Sequence, residues 1–261
     1  MEALKSKLKA LRLPWMANAL ALRNEYALAN GISYIEFLEL LVEDEQAQRS
    51  ANGYQKRLVS SRITQQKTLD NYDFSYQPGV DQKVLADLAT TRFIRQKENV
   101  LFLGKPGVGK THLAQALGHQ ALKQGYHVLM VHANELIERL QAARGDGSYR
   151  VALQKLVQPD LLIIDEIGFK KMPLSGLDDF FEVIRCRYEQ GSVIVTTNRN
   201  FEDWGTLLGD SVMASAIIDR LIHHATVIRI TGNSYRIKGL LGRDTVDGAN
   251  ASLSKTETDH P

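Results

Sequence analysis

The chain has 261 residues, 44% of them hydrophobic and 24% charged, and a formal net charge of +2. This composition is that of an ordinary globular protein, and so small a charge gives no general argument for nucleic-acid binding. No apolar run approaches the roughly 20 residues that span a bilayer, and the N-terminus lacks the apolar stretch of a secretory signal. Since the single cysteine, Cys186, cannot form an intramolecular disulfide, we expect a cytoplasmic protein without a membrane partner.

Residues 1–68 are predicted to form a small all-helical domain. Pro14 opens a second helix after the first, Gly31 ends it, and Ser33 with Glu36 has the spacing of a capping box before a third helix that runs past residue 60. Apolar residues recur at helical spacing in the first two helices: Leu4, Leu8 and Leu11, then Trp15, Ala19, Leu22 and Tyr26.

Charge is unevenly distributed along the third predicted helix. Carboxylates come first, and from residue 46 to residue 69 only cations occur: Arg49, Lys56, Arg57, Arg62 and Lys67. A solvated helix arranged to suit the macrodipole would show this pattern, and so would a helix that contacts a phosphate backbone. Both interpretations place the basic residues on a surface.

A turn-rich junction over residues 69–98 leads into a segment in which helices and strands alternate. This alternation predicts an α/β domain over residues 99–241, with a five-stranded parallel sheet between helices. Residues 242–261 contain almost no large apolar side chains and are predicted to form a disordered tail. The predicted strands are Asn99–Leu103, His127–Val131, Leu161–Asp165, Ser192–Thr197 and Thr226–Ile230.

A phosphate-binding loop follows the first predicted strand. The pattern Gly-x-x-x-x-Gly-Lys-Thr lets successive backbone N–H groups surround a triphosphate, while the lysine reaches the outer phosphates and the threonine hydroxyl ligates magnesium. A helix follows directly, and its N-terminus favours phosphate. The loop predicts ATP and Mg²⁺ as cofactors, bound by Gly104, Lys105, Pro106, Gly107, Val108, Gly109, Lys110 and Thr111.

Polar side chains end two further predicted strands. Asp165 and Glu166 follow an apolar strand, and we expect Asp165 to hold magnesium and Glu166 to polarise the attacking water. Asn198 follows the next strand and is a candidate contact to the γ-phosphate or to that water, although an asparagine there is also a common turn residue. With Lys110, these residues form a predicted catalytic set.

The ordered segments GKPGVGKT, LLIIDE, VTTN and AIIDRL resemble those of AAA+ ATPases of the initiator and helicase-loader type. More specifically, LKALRLPWMANAL, TLDNYDF and AIIDRLIHHATVIRITGNSYR resemble IstB-like proteins, which are ATP-dependent helpers encoded beside a transposase. The resemblance implies that Arg220 is an arginine finger acting on ATP in a neighbouring subunit. It also makes Arg236 a candidate sensor, and it suggests that Tyr72 and Phe74 pack near the adenine.

The resemblance further implies a DNA contact between the second and third strands, where two short predicted helices flank a Gly145–Gly147 turn. A contact there would neutralise phosphates without reading sequence. The candidate DNA-binding residues are Arg139, Arg144, Arg150 and Lys155, with Lys170 and Lys171 farther along the chain.

Four functions remain compatible with the sequence. The preferred hypothesis is an oligomeric ATPase that binds and remodels double-stranded DNA and recruits or stimulates a transposase. The alternatives are a DnaC-like replicative helicase loader, a small-molecule kinase, and a binding module that does not hydrolyse ATP. Other conspicuous side chains have plainer interpretations: Trp15, Trp204, Phe180 and Phe181 as core, and His223 and His224 as surface residues without a third metal ligand.

Overall fold

A computed structural model describes residues 1–64, 66–168 and 173–237. The predicted tail and the candidate DNA contacts Lys170 and Lys171 lie outside these ranges. Two compact units divide the chain, one comprising Met1–Val59 and the other beginning at Ser60. Within the described ranges, no helix combines the length and the apolar character needed to cross a bilayer.

The first unit contains the helices α1 (Glu2–Ala10) and α2 (Pro14–Asn30) and most of α3 (Tyr34–Ser61). The predicted capping box is present, because the Ser33 amide donates to the Glu36 carboxylate at 2.7 Å and the Glu36 amide donates to the Ser33 hydroxyl at 3.2 Å. The small core uses only part of the face predicted for α2, since Ala19 packs against it but Leu22 is 70% exposed and Trp15 is only half-buried. It consists of Met16, Leu20 and Leu41, with Leu8, Leu13, Ala19 and Phe37 packed against them.

Glu45 of α3 caps the N-terminus of α2, which has no capping side chain of its own. Leu13 precedes α2 and has no side chain that can cap the helix. The buried Glu45 carboxylate instead accepts hydrogen bonds from the Trp15 amide at 2.8 Å and the Met16 amide at 3.0 Å, and also from Arg49 at 2.6 Å. A carboxylate from a neighbouring helix thereby satisfies two of the free N–H groups that every helix N-terminus exposes.

The second unit is built on five parallel strands in the order β2-β3-β4-β1-β5, so the predicted α/β fold is confirmed. The strands are β1 (Asn99–Gly104), β2 (Val128–His132), β3 (Leu161–Ile167), β4 (Ser192–Thr197) and β5 (Ala225–Ile230). The helices are α4 (Gln82–Ala89), α5 (Arg92–Arg95), α6 (Lys110–Lys123), α7 (Ala133–Gly145), α8 (Tyr149–Val157), α9 (Leu174–Arg187), α10 (Trp204–Leu208) and α11 (Ser211–Ile222), with short 3-10 turns at Phe201–Asp203 and Tyr235–Ile237.

Alternate residues of each inner strand point to opposite faces of the sheet, and both faces are covered. On one face, Leu101 and Leu162 join a core formed with α7, α9 and α11. On the other, Ile163 lies against α6, where a Cβ added at Gly118 would be 2.9 Å from the Ile163 Cδ1 atom. Trp204 and Phe180 are fully buried as predicted, and Phe181 is half-buried. Because the inner strands are covered on both sides, they read as continuous apolar runs.

Candidate nucleotide site

The phosphate loop joins the end of β1 to the start of α6. Gly107 and Gly109 have φ angles of 82° and 99°, in the left-handed region that side chains disfavour. At Gly109 space is also limiting, since an added Cβ would lie 2.7 Å from the Tyr72 ring. Glycine is therefore required at these positions, and turns of this kind present backbone N–H groups to an anion.

Lys110 is the buried cation of the loop. Its Nζ atom donates to the carbonyl oxygens of Gly104 at 2.7 Å and Lys105 at 2.9 Å. Burial lowers the pKa of this ammonium group, and the nearby carboxylates of Asp165 and Glu166 partly offset the effect. The loop thus holds a partly desolvated positive charge beside the glycine-rich turn, where a phosphate would stabilise it.

Asp165 of β3 binds hydroxyl groups from α6 and β4 at the carboxyl edge of the sheet. It is only 1% exposed, and its Oδ1 atom accepts hydrogen bonds from the hydroxyls of Thr111 at 2.8 Å and Thr196 at 2.5 Å. A carboxylate and a hydroxyl oxygen side by side are ligands that suit Mg²⁺. The residues present therefore fit a magnesium ion held through Thr111 and Asp165.

Glu166 lies beside Asp165 but faces outward. It has a φ angle of +61°, and the pairing of β3 with β4 shifts register between Ile164 and Ile167. Its amide donates to the Thr196 hydroxyl at 2.9 Å, while its side chain is 52% exposed. The irregular strand end thus turns consecutive carboxylates in different directions: Asp165 into the protein and Glu166 toward the chamber beside the phosphate loop, which it lines.

His132 at the end of β2 is a neighbour of these acids that sequence analysis missed. Its Nδ1 atom lies 3.7 Å from Asp165 Oδ2 and 3.9 Å from Glu166 Oε2. In the chain, His132 lies 33 positions before Asp165 and 34 positions before Glu166. The sequence places His132 at the end of a predicted strand, which is the one feature that could have marked it. Only the pairing of β2 with β3 in the sheet brings it beside the two acids.

Asn198 lines the same chamber directly after β4. Because β4 pairs with both β1 and β3, this residue follows the strand between the phosphate loop and the acids. Its buried Oδ1 atom has no hydrogen-bond partner among the described residues. A buried acceptor without a partner is costly, so its orientation suits a water molecule or another donor in the chamber.

Tyr72 and the segment after β5 form the outer wall of the chamber. The Tyr72 hydroxyl donates to the Val108 carbonyl at 3.3 Å, and the Tyr235 amide donates to the Gly107 carbonyl at 2.9 Å. Phe74 packs edge-on against Tyr72 with ring centroids 4.9 Å apart, but does not line the chamber itself. The complete lining is Lys67, Asn71, Tyr72, Asp73, Gln77, Pro106, Gly107, Val108, Gly109, Lys110, Thr111, His112, Glu166, Thr196, Asn198, Tyr235 and Arg236.

Arg220 lies on α11 and is not among the residues that line this chamber. Its Nη1 atom donates to the Ala216 carbonyl at 2.9 Å, and its guanidinium carbon lies 5.1 Å from the centre of the Phe181 ring. Arg236, in contrast, does line the chamber. Of the two arginines identified in the sequence, the candidate sensor Arg236 therefore lines the chamber of its own chain, whereas the candidate arginine finger Arg220 does not.

The candidate DNA contacts on α7 and α8 also differ from one another. Arg139 pairs with Glu135 at 2.5 Å, and Arg144 pairs with the buried Asp179 at 2.6 Å. Arg150 and Lys155 are exposed. The latter two are thus the more available cations of this segment, whereas Arg144 already neutralises a buried carboxylate.

Comparison with solved structures shows which known proteins share this fold. AMPPCP-bound DnaA from Aquifex aeolicus aligns over 75% of this chain and 59% of its own length, with a TM-score of 0.54 and 22% identity. The DnaC helicase loader aligns over 63% of this chain and 96% of its own, with a TM-score of 0.53 and 21% identity. The fold is therefore of the AAA+ type, with a phosphate loop after β1 and acids at the end of β3.

Sequence comparison then identifies the family. The profile described as IstB-like ATP binding protein matches residues 6–241, and the chain belongs to this family. The insertion sequence IS5376 putative ATP-binding protein of Geobacillus stearothermophilus is 41% identical over 87% of this chain and 91% of its own length. The IS21 counterpart of Pseudomonas aeruginosa is 40% identical over 98% and 97%, respectively. The resemblance inferred from the sequence is confirmed.

Proposed function

We propose that the protein is an ATPase that assembles on double-stranded DNA, remodels it, and recruits or stimulates a transposase. The observation that carries this proposal is that Lys110, Thr111, Glu166 and Asn198 line one chamber and that Thr111 donates a hydrogen bond to the buried Asp165. These groups occur in a chain whose relatives, along almost their full length, are ATP-binding proteins of insertion sequences. Such elements move by transposition, so an ATP-dependent partner of a transposase is the role that joins both facts.

The predicted catalytic and metal-binding residues each have a role in the proposed hydrolysis. Lys110 and the loop amides bind the phosphates, and Thr111 and Asp165 hold Mg²⁺, which neutralises charge on the phosphate oxygens when bound. Glu166, whose side chain is half-exposed beside the buried Asp165, orients the attacking water and draws its proton. Asn198 donates its amide N–H to the γ-phosphate or positions the same water with its unpartnered oxygen.

DNA contact is proposed for the segment that contains α7 and α8. Its exposed cations Arg150 and Lys155 reach phosphates, and Arg139 joins them when its pairing with Glu135 is exchanged for a phosphate. In a multi-subunit assembly these contacts repeat along the duplex. Each neutralised phosphate adds about 0.9 to the slope of log binding constant against log salt.

The proposal is tested by measuring ATP hydrolysis and sedimentation with and without double-stranded DNA at two salt concentrations. We expect DNA to raise turnover and to promote assembly, and higher salt to weaken both. Glu166→Gln should abolish turnover while retaining nucleotide-dependent assembly, because the carboxamide cannot take the water's proton but preserves the shape of the side chain.

Three outcomes would contradict parts of this proposal. Absence of both DNA-dependent assembly and DNA-stimulated turnover would remove the DNA-binding function. Unchanged hydrolysis in Glu166→Gln would remove the role of Glu166. Co-purification with a replicative helicase instead of a transposase would favour the alternative function, a helicase loader.

A further inference from the structure

Two turns meet at the edge of the sheet opposite the nucleotide chamber. One contains Glu189 and joins α9 to β4, and the other contains His223 and His224 and joins α11 to β5. Both β4 and β5 pair with β1, so the two strands begin two strand spacings apart, roughly 10 Å. Side chains from the two turns can therefore reach each other, although the residues are more than 30 positions apart in the chain.

Asn99, the first residue of β1, holds both turns in place. Its side chain accepts a hydrogen bond from the Val193 amide at 2.9 Å and donates one to the Leu221 carbonyl at 3.1 Å. Its own amide donates to the His224 carbonyl at 2.7 Å. The backbone on either side of the histidine–glutamate cluster is thus fixed by one buried residue.

The three side chains converge on a small volume. One potential ligand atom from each of Glu189, His223 and His224 lies within 4.8 Å of the others. Glu189 Oε1 is 3.8 Å from His224 Nε2, and the two imidazole rings have centroids 4.1 Å apart. The Tyr188 hydroxyl lies 2.8 Å from His223 Nδ1 and orients that ring. All three ligand residues are exposed and therefore open to an ion from solvent.

The geometry points to a binding site for a divalent transition-metal ion of the zinc class, formed by Glu189, His223 and His224. Two imidazoles and one carboxylate are a donor set that binds zinc and leaves a fourth position open, whereas magnesium prefers oxygen ligands alone. Ligand atoms on one zinc ion lie about 3 to 3.5 Å apart, because each is about 2 Å from the metal. Exposed side chains close the remaining distance by small rotations about their side-chain bonds.

A bound ion would link the C-terminal end of α9 to the C-terminal end of α11. This position is remote from the chamber, which lies at the other edge of the sheet. The site shares no residue with the chamber, although α11 also carries Arg220, and metal binding can be measured without nucleotide.

The test is titration of the full-length protein with Co²⁺ in the absence of nucleotide and magnesium, followed by visible absorption. We expect one ion per chain, ligand-field bands of a four- or five-coordinate site, displacement by Zn²⁺, and a higher melting temperature with the metal. Loss of a partner that merely orients a ligand costs about 10- to 100-fold in metal affinity, so His224→Ala and Glu189→Gln should each weaken binding by at least about tenfold.

His127→Ala is the matched control, because His127 is also exposed and lies 3.5 Å from a carboxylate, that of Asp160. This variant should bind Co²⁺ like the wild type. The melting temperature of each variant without metal shows whether it is folded, and His223→Asn provides a second, milder substitution in the cluster. The inference is overturned if no saturable site with one ion per chain is found, or if His127→Ala weakens binding as much as His224→Ala does.

Discussion

At the scale of single residues, Arg187 is an arginine whose side chain lies in the interior of the second unit. It is 1% exposed, and burial lowers the pKa of its guanidinium to about 10, an effect that Asp160 partly offsets. Its partners are the backbone carbonyls of Leu156, Val157, Pro159, Asp160 and Ser192, at 2.7 to 3.3 Å. One guanidinium group therefore donates hydrogen bonds to carbonyl oxygens at the end of α8, just before β3 and at the start of β4.

Replacement of Arg187 should be strongly destabilising. Arg187→Met keeps much of the apolar volume but removes the donors from several buried carbonyls, and we expect a loss of about 3 kcal/mol or more in the free energy of unfolding. Urea denaturation followed by circular dichroism measures this loss. Arg185→Ala on the same helix is the control, because Arg185 is an exposed partner of Glu182. Equal shifts in the two variants would show that the carbonyl cluster does not stabilise the fold.

At the scale of elements, α6 does more than present the phosphate loop. Three of its polar side chains, spaced about one turn apart, form hydrogen bonds with Thr64 and Thr68, which come shortly before the chamber residue Tyr72 in the chain. Gln115 accepts hydrogen bonds from the Thr64 amide and hydroxyl, at 3.2 and 2.6 Å. His119 and His112 contact the carbonyls of Thr64 and Thr68, at 2.8 and 2.7 Å. The helix that would bind phosphate at its N-terminus therefore also positions the chain leading to Tyr72.

The contact between α3 and the start of α2 predicts a pH-dependent stability in the first unit. Although burial raises the pKa of Glu45, hydrogen bonds from Met16, Arg49 and Trp15 outweigh it, and the pKa lies below the ordinary value of 4.5. Glu45→Gln should cost about 1 kcal/mol, the usual contribution of an N-terminal cap. The measurement is thermal or urea unfolding of the full chain across a range of pH.

The sign of the pH effect follows from the lowered pKa. The carboxylate stabilises the folded state fully above pH 4.5, the unfolded value, and this contribution disappears as the pH falls through the folded value. The difference between wild type and Glu45→Gln should therefore shrink below pH 4.5. Glu39→Gln, at an exposed position of the same helix, is the control. A difference that persists unchanged in acid would contradict the capping role.

At the scale of the whole molecule, we propose that the site is shared between protomers: Arg220 does not line the chamber of its own chain, and it would act on the nucleotide bound by a neighbouring subunit. Arg220→Ala and Glu166→Gln should each be inactive, since a trans-acting arginine contributes about 10³- to 10⁵-fold in related phosphoryl transfers. Mixing the two inactive variants should restore turnover, because about a quarter of head-to-tail interfaces then combine an intact Glu166 with an intact Arg220.

The mixing experiment also separates the shared site from simpler explanations. If Arg220 acted within its own chain, no mixture would contain a complete site and turnover would stay absent. If Arg220→Ala alone retained full hydrolysis and assembly, the finger would have no role. Sedimentation of each variant and of the mixture provides the control for assembly.

Much of the fold was predictable because the relevant signals are local. Apolar runs ended by polar residues predicted five strands to within about two residues at each end, and turn chemistry predicted where α2 and α3 begin. The phosphate loop was readable because its glycines, lysine and threonine are consecutive. The buried face of α2 could not be predicted from the sequence, because Leu22 and Met16 are both apolar and only the packing of α3 decides which of them is buried.

The sequence by itself determined the class of fold, the phosphate loop and the acids after β3, because each depends on residues that are neighbours in the chain. Only the tertiary structure decided which distant groups meet. Strand order brought His132 to Asp165 and Glu166, and brought Glu189 to His223 and His224. It also assigned the buried Arg187 and the exposed Arg144 to partners within the protein. Such contacts depend on the order of strands in the sheet, which local periodicity does not encode.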